Sequence, residues 1–125
     1  AVKLSELAVG IGPFVVGPAV ERKMGLSAMS QLAIDATEFR SAAWAQEYGL
    51  YAQVVDDATA LDAAVDALAE RLAGQSVEAT IALKQALWHG TEHWGELLLE
   101  RAGVSGRLVR TDDAQRRIQA ILAKS

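Results

Sequence analysis

Hydrophobic and polar positions along the chain predict a protein built mainly from helices. Residues 58–74 place apolar side chains at helical spacing with charged ones between them, and Gly74 is the predicted end. Residues 76–88 are apolar around most of a helical circumference, which predicts contacts on more than one side. The same signals predict further helices over residues 14–24, 27–34, 41–48, 91–102 and 112–123. The predicted N-caps are Ser27, Ser41 and Ser76.

Two short segments have the character of β-strands. Residues 2–9 partly alternate apolar and polar side chains and run into a turn-forming cluster at residues 10–13. Residues 50–55 are rich in β-forming residues and are followed by two aspartates. Gly25 and Gly49 predict the ends of the helices before them, and residues 103–106 predict an interruption. The predicted fold class is therefore mainly α with short β-strands.

Composition and charge exclude several classes of protein. The chain has 125 residues, of which 51% are hydrophobic, so it can bury the core of one domain but not of two. Its 12 basic and 16 acidic residues give a net charge of -4 without a basic stripe, so nucleic acid is not an expected partner. No apolar run approaches the roughly 20 residues that span a bilayer, and the N-terminus does not resemble a signal peptide. We therefore expect a cytoplasmic location and no membrane partner.

Few residues indicate chemistry by themselves. The chain has no cysteine and no phosphate-binding loop, which excludes thiolate chemistry and the common nucleotide sites. His89 and His93 are four residues apart on a predicted helix with Glu92 between them, but the zincin order and a third ligand are missing, so no metal site is predicted. Glu6 ends the first predicted strand beside an apolar loop, where a carboxylate can exchange a proton. A lone strand glutamate is more often a surface charge.

Three segments together resemble the C-terminal half of the enoyl-CoA hydratase/isomerase (crotonase) family. Residues 4–13, Leu-Ser-Glu-Leu-Ala-Val-Gly-Ile-Gly-Pro, resemble the family's strand-end glutamate followed seven residues later by proline. Residues 41–50 resemble its Ser-Ala-x-x-Ala-x-x-x-Gly-Leu helix, and residues 106–124 resemble its closing helix. The resemblance implies the C-terminal part of a crotonase-like α/β fold, the ββα spiral. Residues 1–57 would end its core, and residues 58–125 would form a helical oligomerisation region.

The resemblance also implies an activity and the residues that serve it. The protein would be an enoyl-CoA hydratase-like lyase, which adds water across the double bond of an acyl-CoA thioester or shifts that bond, without a cofactor. Glu6 would be the general acid that delivers a proton to the α-carbon. Pro13, Phe14 and Val16 would contact the substrate, with the Phe14 backbone amide holding the water; the alternative for Phe14 and Val16 is a place in the core. Lys124 would contact the CoA phosphates.

Essential parts of such an enzyme lie outside this chain. In the family the first glutamate and the two amides that stabilise the thioester oxygen belong to the N-terminal half, so we expect the chain alone to be inactive. The implied partners are the acyl-CoA, further copies in a trimer or hexamer, and a separate N-terminal half chain. The alternative is an inactive helical interaction or scaffold module, or a crystallised fragment. Neither the acyl chain nor the choice between hydratase, isomerase and hydrolase follows from this sequence.

Overall fold

The computed structural model describes residues 1–123, which fall into two compact units. The first unit combines Ala1–Gln53 with residues 95–123, and the second is Val54–Trp94. The elements, in chain order, are a 3₁₀ helix (Glu6–Val9), α1 (Gly17–Ile34), α2 (Ala42–Glu47), α3 (Ala58–Ala73), α4 (Val77–Trp88), α5 (Trp94–Leu108) and α6 (Asp112–Leu122). The predicted mainly α character is confirmed. The chain leaves the first unit after residue 53 and returns to it after residue 94. The division after residue 57 into a core part and an oligomerisation region stays a prediction.

Side-chain caps explain where four of the helices begin. A side-chain oxygen at each N-cap accepts the backbone N–H three residues later, which satisfies one of the amides left unpaired in a first helical turn. These caps are Ser41 for α2, Asp57 for α3, Ser76 for α4 and Thr111 for α6. Ser41 and Ser76 are therefore confirmed as caps, and each such cap stabilises its helix by about 1 kcal/mol.

Helix α1 is divided at the predicted position. Gly25 has φ 77° and ψ 161° within Gly17–Ile34, a backbone conformation outside the helical region. The two helical parts on either side match the helices predicted over residues 14–24 and 27–34. Pro18 lies in the first turn, where its missing N–H costs no helical hydrogen bond. Ser27, the predicted N-cap, lies inside the second part instead of at its start.

Neither predicted strand forms. Residues 6–9 are a 3₁₀ helix, and residues 50–55 carry no regular structure; among residues 1–123 the only β pairing is one antiparallel bridge between Val2 and Arg40. A strand needs a neighbour to satisfy its backbone groups. Here the groups bond locally instead: the Ile11 N–H donates to the Glu6 carbonyl at 3.0 Å, and the Leu50 N–H donates to the Ala45 carbonyl at 2.8 Å.

The interruption predicted at residues 103–106 is also wrong. Helix α5 runs continuously from Trp94 to Leu108, and the Val109 N–H donates to the Ser105 carbonyl at 2.9 Å. A glycine inside a helix lowers stability by about 1 kcal/mol relative to alanine, a cost that tertiary packing can offset. The last predicted helix, over residues 112–123, is confirmed as α6.

The core of the first unit lies along α1. Met24 precedes the bend at Gly25, and Ala28, Met29 and Leu32 follow it; all four are buried. Six partly buried apolar side chains pack against this cluster. They come from the N-terminal segment, from α1, from α2 and from the loop after α2: Val2, Leu4, Val20, Ala33, Trp44 and Leu50. This core connects the N-terminal segment to α1, and so places the 3₁₀ helix beside the start of α1.

The second unit contains α3, α4 and the turn after them, and none of its residues is buried. The apolar side chains of both helices keep about half or more of their surface exposed: Leu61, Val65, Leu68, Leu72, Val77, Ile81, Leu83, Leu87 and Trp88. A unit of about 40 residues is too small to bury a large fraction of its apolar surface. Among residues 1–123, no helix has both the length and the apolar character needed to cross a bilayer.

Candidate functional site

A cavity in the first unit collects the residues that the sequence singled out. It measures about 530 Å³ and is called the Glu6 cavity below. Its walls come from the 3₁₀ helix, the loop that leads into α1, and one residue of α5: Glu6, Ile11, Gly12, Pro13, Phe14, Val15, Val16 and Ser105. Glu6, Pro13, Phe14 and Val16 therefore lie around one space. Apart from Glu6 and Ser105, the lining consists of apolar side chains and backbone.

A tight turn brings Glu6 and Pro13 to the same cavity. Gly10 follows the 3₁₀ helix with φ 78°, a left-handed conformation that favours glycine. Its Cα is pressed against α6: a Cβ built on Gly10 would lie 3.2 Å from the Ala114 Cα and 3.3 Å from the Ala114 Cβ. Ala114 is itself fully buried. The prediction that Glu6 lies at the end of a strand is wrong, because Glu6 begins a 3₁₀ helix. The contact of the following turn with α6 orients Glu6 instead.

The Glu6 carboxylate has an unsatisfied oxygen. Its Oε2 is buried and has no hydrogen-bond partner within the described part of the chain. A buried polar atom in that condition costs about 1–3 kcal/mol, and in native proteins such an atom usually meets a water or a ligand. The Glu6 carboxylate therefore has a hydrogen-bonding capacity that the described residues do not use.

Phe14 closes a three-residue turn around Pro13. Its backbone N–H donates to the Gly12 carbonyl at 2.7 Å, the hydrogen bond of a γ-turn. The amide that was expected to hold the water is thus engaged within the loop. The Phe14 ring packs on Gly12, where an added Cβ would lie 2.6 Å from the ring Cζ, so a larger residue at position 12 would force the ring to move. Val16 is more than one-third exposed, which contradicts the alternative that places it in the core.

A second cavity lies across the same loop, also within the first unit. It measures about 630 Å³ and is bordered by Ile11–Phe14 of the loop, by apolar residues of α1, α5 and the 3₁₀ helix, and by Asp113 and Arg117 of α6. The Arg117 Nε donates to the Asp113 Oδ2 at 2.6 Å, and Arg116 contacts the other oxygen at 3.4 Å. The hydrogen bond from Arg117 is the main reason that the pKa of Asp113 is lowered. Both arginines are thus bound to a carboxylate of their own helix.

Ser105 is a cavity residue that the sequence did not indicate. It belongs to the Gly-Val-Ser-Gly stretch at residues 103–106, which was expected to be irregular. Because α5 continues through that stretch, Ser105 has a fixed helical position and faces the Glu6 cavity. The helical spacing of Leu97, Leu98 and Val104 would have been the signal for a longer helix, had the two glycines been treated as helical positions.

The histidine pair is not on one helix. Helix α4 ends at Trp88 and α5 begins at Trp94, so His89 and His93 lie in the turn between them. The His89 Nδ1 is 3.4 Å from the Glu92 Oε1, and the backbone N–H groups of Glu92 itself and of Gly90 lower the pKa of the Glu92 carboxyl. Within residues 1–123, no group of three or more His, Asp or Glu side chains is arranged to hold a metal ion.

Lys124, the predicted contact of the CoA phosphates, lies outside the described residues. Comparison of the chain with protein-family models, with curated proteins and with solved structures finds no match in any of the three. The residues that line the Glu6 cavity are therefore the basis for any assignment of function.

Proposed function

We propose that this chain is the C-terminal part of an enoyl-CoA hydratase/isomerase-like enzyme, with Glu6 as its general acid. One observation carries the proposal: Glu6, Pro13, Phe14 and Val16, selected by their resemblance to the crotonase pattern, line one cavity, and the glutamate in it has a buried oxygen without a partner. Apolar walls suit an acyl chain, and a carboxylic acid within them suits proton transfer to carbon.

The proposed reaction adds water to the conjugated double bond of an acyl-CoA thioester. The oxygen of the water bonds to the β-carbon while one of its O–H bonds breaks, and that proton passes to a second carboxylate supplied by the N-terminal half. The electron pair of the double bond moves to form an enolate at the thioester. Glu6 then gives its proton to the α-carbon and becomes a carboxylate. Each step conserves atoms and charge, and the reverse sequence dehydrates a 3-hydroxyacyl thioester.

The proposal assigns the remaining parts of the enzyme to other segments. The second carboxylate and the two amides that stabilise the enolate oxygen would come from an N-terminal half, either in the same polypeptide or as a separate chain. That half would also supply the strands of the ββα core. Lys124 would contact the CoA phosphates, the enzyme would work in the cytoplasm, and the exposed helices of Val54–Trp94 would assemble copies into a trimer or hexamer.

The test uses the open reading frame that encodes this chain, expressed from its own start codon, with this chain alone in parallel. Hydration of a short 2-enoyl-CoA is followed by the loss of ultraviolet absorbance of the conjugated thioester. Glu6→Gln keeps the shape of the side chain but removes the acid, so we expect a loss of about 10²–10⁴-fold in kcat. Glu21→Gln, which changes an exposed glutamate of α1 outside the cavity, is the matched control and should keep the parental rate. Full activity in Glu6→Gln would remove Glu6 from the mechanism.

A second candidate function is a helical interaction module without enzymatic activity. The observation in its favour is the exposed apolar surface of α3 and α4, which form a groove of about 470 Å³ lined in part by Leu68, Leu72 and Leu83. The occupant we expect is a second copy of the chain. Light scattering would then show a stable oligomer, and calorimetric titration with CoA and acyl-CoA would show no binding. Oligomers that also bind acyl-CoA would support the enzyme.

A further inference from the structure

We propose that the Ser105 hydroxyl holds the reacting water in the Glu6 cavity, opposite the Glu6 carboxylate. In the reverse direction it would hold the 3-hydroxyl group of the acyl thioester. The inference rests on the proposed hydratase function and deepens it, because it assigns the water a donor in place of the Phe14 amide, which is engaged within its own loop.

The Glu6 cavity has few side chains that can form hydrogen bonds. Apart from the carboxyl group of Glu6 itself, Ser105 is the one side chain described around this space that can donate a hydrogen bond. Glu6 lines the same cavity, and its Oε2 is buried without a hydrogen-bond partner in the described part of the chain. A water molecule in this cavity would accept from the serine hydroxyl and lie beside the Glu6 carboxyl group.

The Phe14 backbone amide is already engaged in a hydrogen bond, so it does not hold the water in this conformation. In the crotonase pattern this amide would help to hold the water, but here it donates to the Gly12 carbonyl at 2.7 Å. The water therefore needs another donor as long as the γ-turn around Pro13 persists. Ser105 reaches the cavity from α5, an element separate from that turn.

The serine hydroxyl is also uncommitted. Serines inside helices often donate to the carbonyl four residues earlier, as Ser30 does to Leu26 in α1 at 2.7 Å. Within residues 1–123 the Ser105 hydroxyl forms no such bond, although its backbone carbonyl is engaged by Val109 in the helix. A fixed backbone with a free hydroxyl at a cavity wall is the arrangement expected of a ligand contact.

The experiment compares three variants in the polypeptide expressed from the complete open reading frame. Ser105→Ala removes the hydroxyl, Ser105→Thr keeps it, and Ser30→Ala is the matched helical serine outside the cavity. Two reactions are measured for each: hydration of a 2-enoyl-CoA, and exchange of the α-proton of a saturated acyl-CoA with D₂O. The exchange breaks one α-C–H bond, passes the proton to the Glu6 carboxylate and returns a deuteron from it, so it requires Glu6 but no bound nucleophilic water.

We expect Ser105→Ala to lower the kcat of hydration roughly tenfold at unchanged KM, since a single hydrogen bond to the water is lost. Its α-proton exchange should stay within about twofold of the parental rate, as should both reactions of Ser105→Thr and Ser30→Ala. A purely structural role would lower hydration and exchange together, and that result would overturn the inference.

The two proposals fail in distinguishable ways. In one outcome the parent hydrates the substrate, Glu6→Gln loses this activity, and Ser105→Ala keeps the parental rate of hydration. The Ser105 inference is then wrong, while the proposed function stands. If the parent catalyses neither hydration nor exchange with any enoyl- or acyl-CoA, both are wrong. Thermal unfolding of each variant excludes misfolding as the cause, and Ser105→Thr provides a second variant should Ser105→Ala fail to fold.

Discussion

Replacing Gly10 by alanine is the sharpest test of how the Glu6 cavity is built. Gly10 has φ 78°, and alanine in a left-handed conformation costs roughly 1–2 kcal/mol. The new Cβ would also lie 3.2 Å from the Ala114 Cα, a backbone atom of α6 that cannot rotate away. Forcing a methyl group into a packed site of this kind adds roughly 1–3 kcal/mol. The expected loss in free energy of unfolding is therefore about 2–5 kcal/mol.

Urea unfolding followed by circular dichroism measures this loss, with the slope of the transition as a check that the unfolded state is unchanged. Gly90→Ala is the control, because Gly90 has φ 86° but no heavy atom within 4 Å of the added Cβ, so it reports the backbone strain alone. The difference between the two variants gives the cost of the contact with α6. If Gly10→Ala destabilises the protein no more than Gly90→Ala, the turn is not held against α6, and the account of how Glu6 is oriented fails.

Two further predictions concern α5 and α6. Gly106→Ala should raise the free energy of unfolding by about 0.5–1 kcal/mol, because α5 is continuous there and the added methyl group meets nothing within 4 Å. Urea unfolding measures this change, and a loss of stability would indicate a break in the helix at residues 103–106. In Arg117→Gln the pKa of Asp113, which the Arg117 hydrogen bond lowers, should rise toward the ordinary aspartate value, as NMR titration of the carboxyl would show. A carboxyl whose pKa is lower in the folded than in the unfolded protein stabilises the fold at neutral pH, and this stabilisation is lost as the pH falls through the folded-state pKa. The variant should therefore be less stable at neutral pH, and its stability should fall less steeply in acid. An unchanged dependence of stability on pH would contradict this role for Arg117.

Helix boundaries were predictable because the signals for them are local. Ser41 and Ser76 bond to amides three residues away in the chain, and Gly25 and Gly49 adopt positive φ values that glycine tolerates without help from the fold. Such interactions require only the adjacent residues, so the sequence contains all the information that they need.

The strands and the interruption in α5 were not predictable for the opposite reason. A segment with β-forming residues becomes a strand only when another segment offers its backbone groups, and residues 2–9 and 50–55 find no such partner beyond the bridge between Val2 and Arg40. In α5, two glycines lower helix propensity without forbidding a helix. Both errors concern segments whose state depends on contacts distant in sequence.

Glu6, Pro13, Phe14 and Val16 were selected because the segment that contains them resembles a family pattern. The sequence also determined the caps Ser41 and Ser76, the division of α1 at Gly25 and the mainly helical character. Only the tertiary structure decided that Gly10 rests on Ala114, that the Phe14 amide is used within its own loop, and that Ser105 reaches the Glu6 cavity from α5. The contacts of Gly10 and Ser105 depend on the distance between atoms that lie far apart in the chain, which packing sets and local propensity does not. The Phe14 hydrogen bond joins residues two apart and depends on the backbone conformation of the loop.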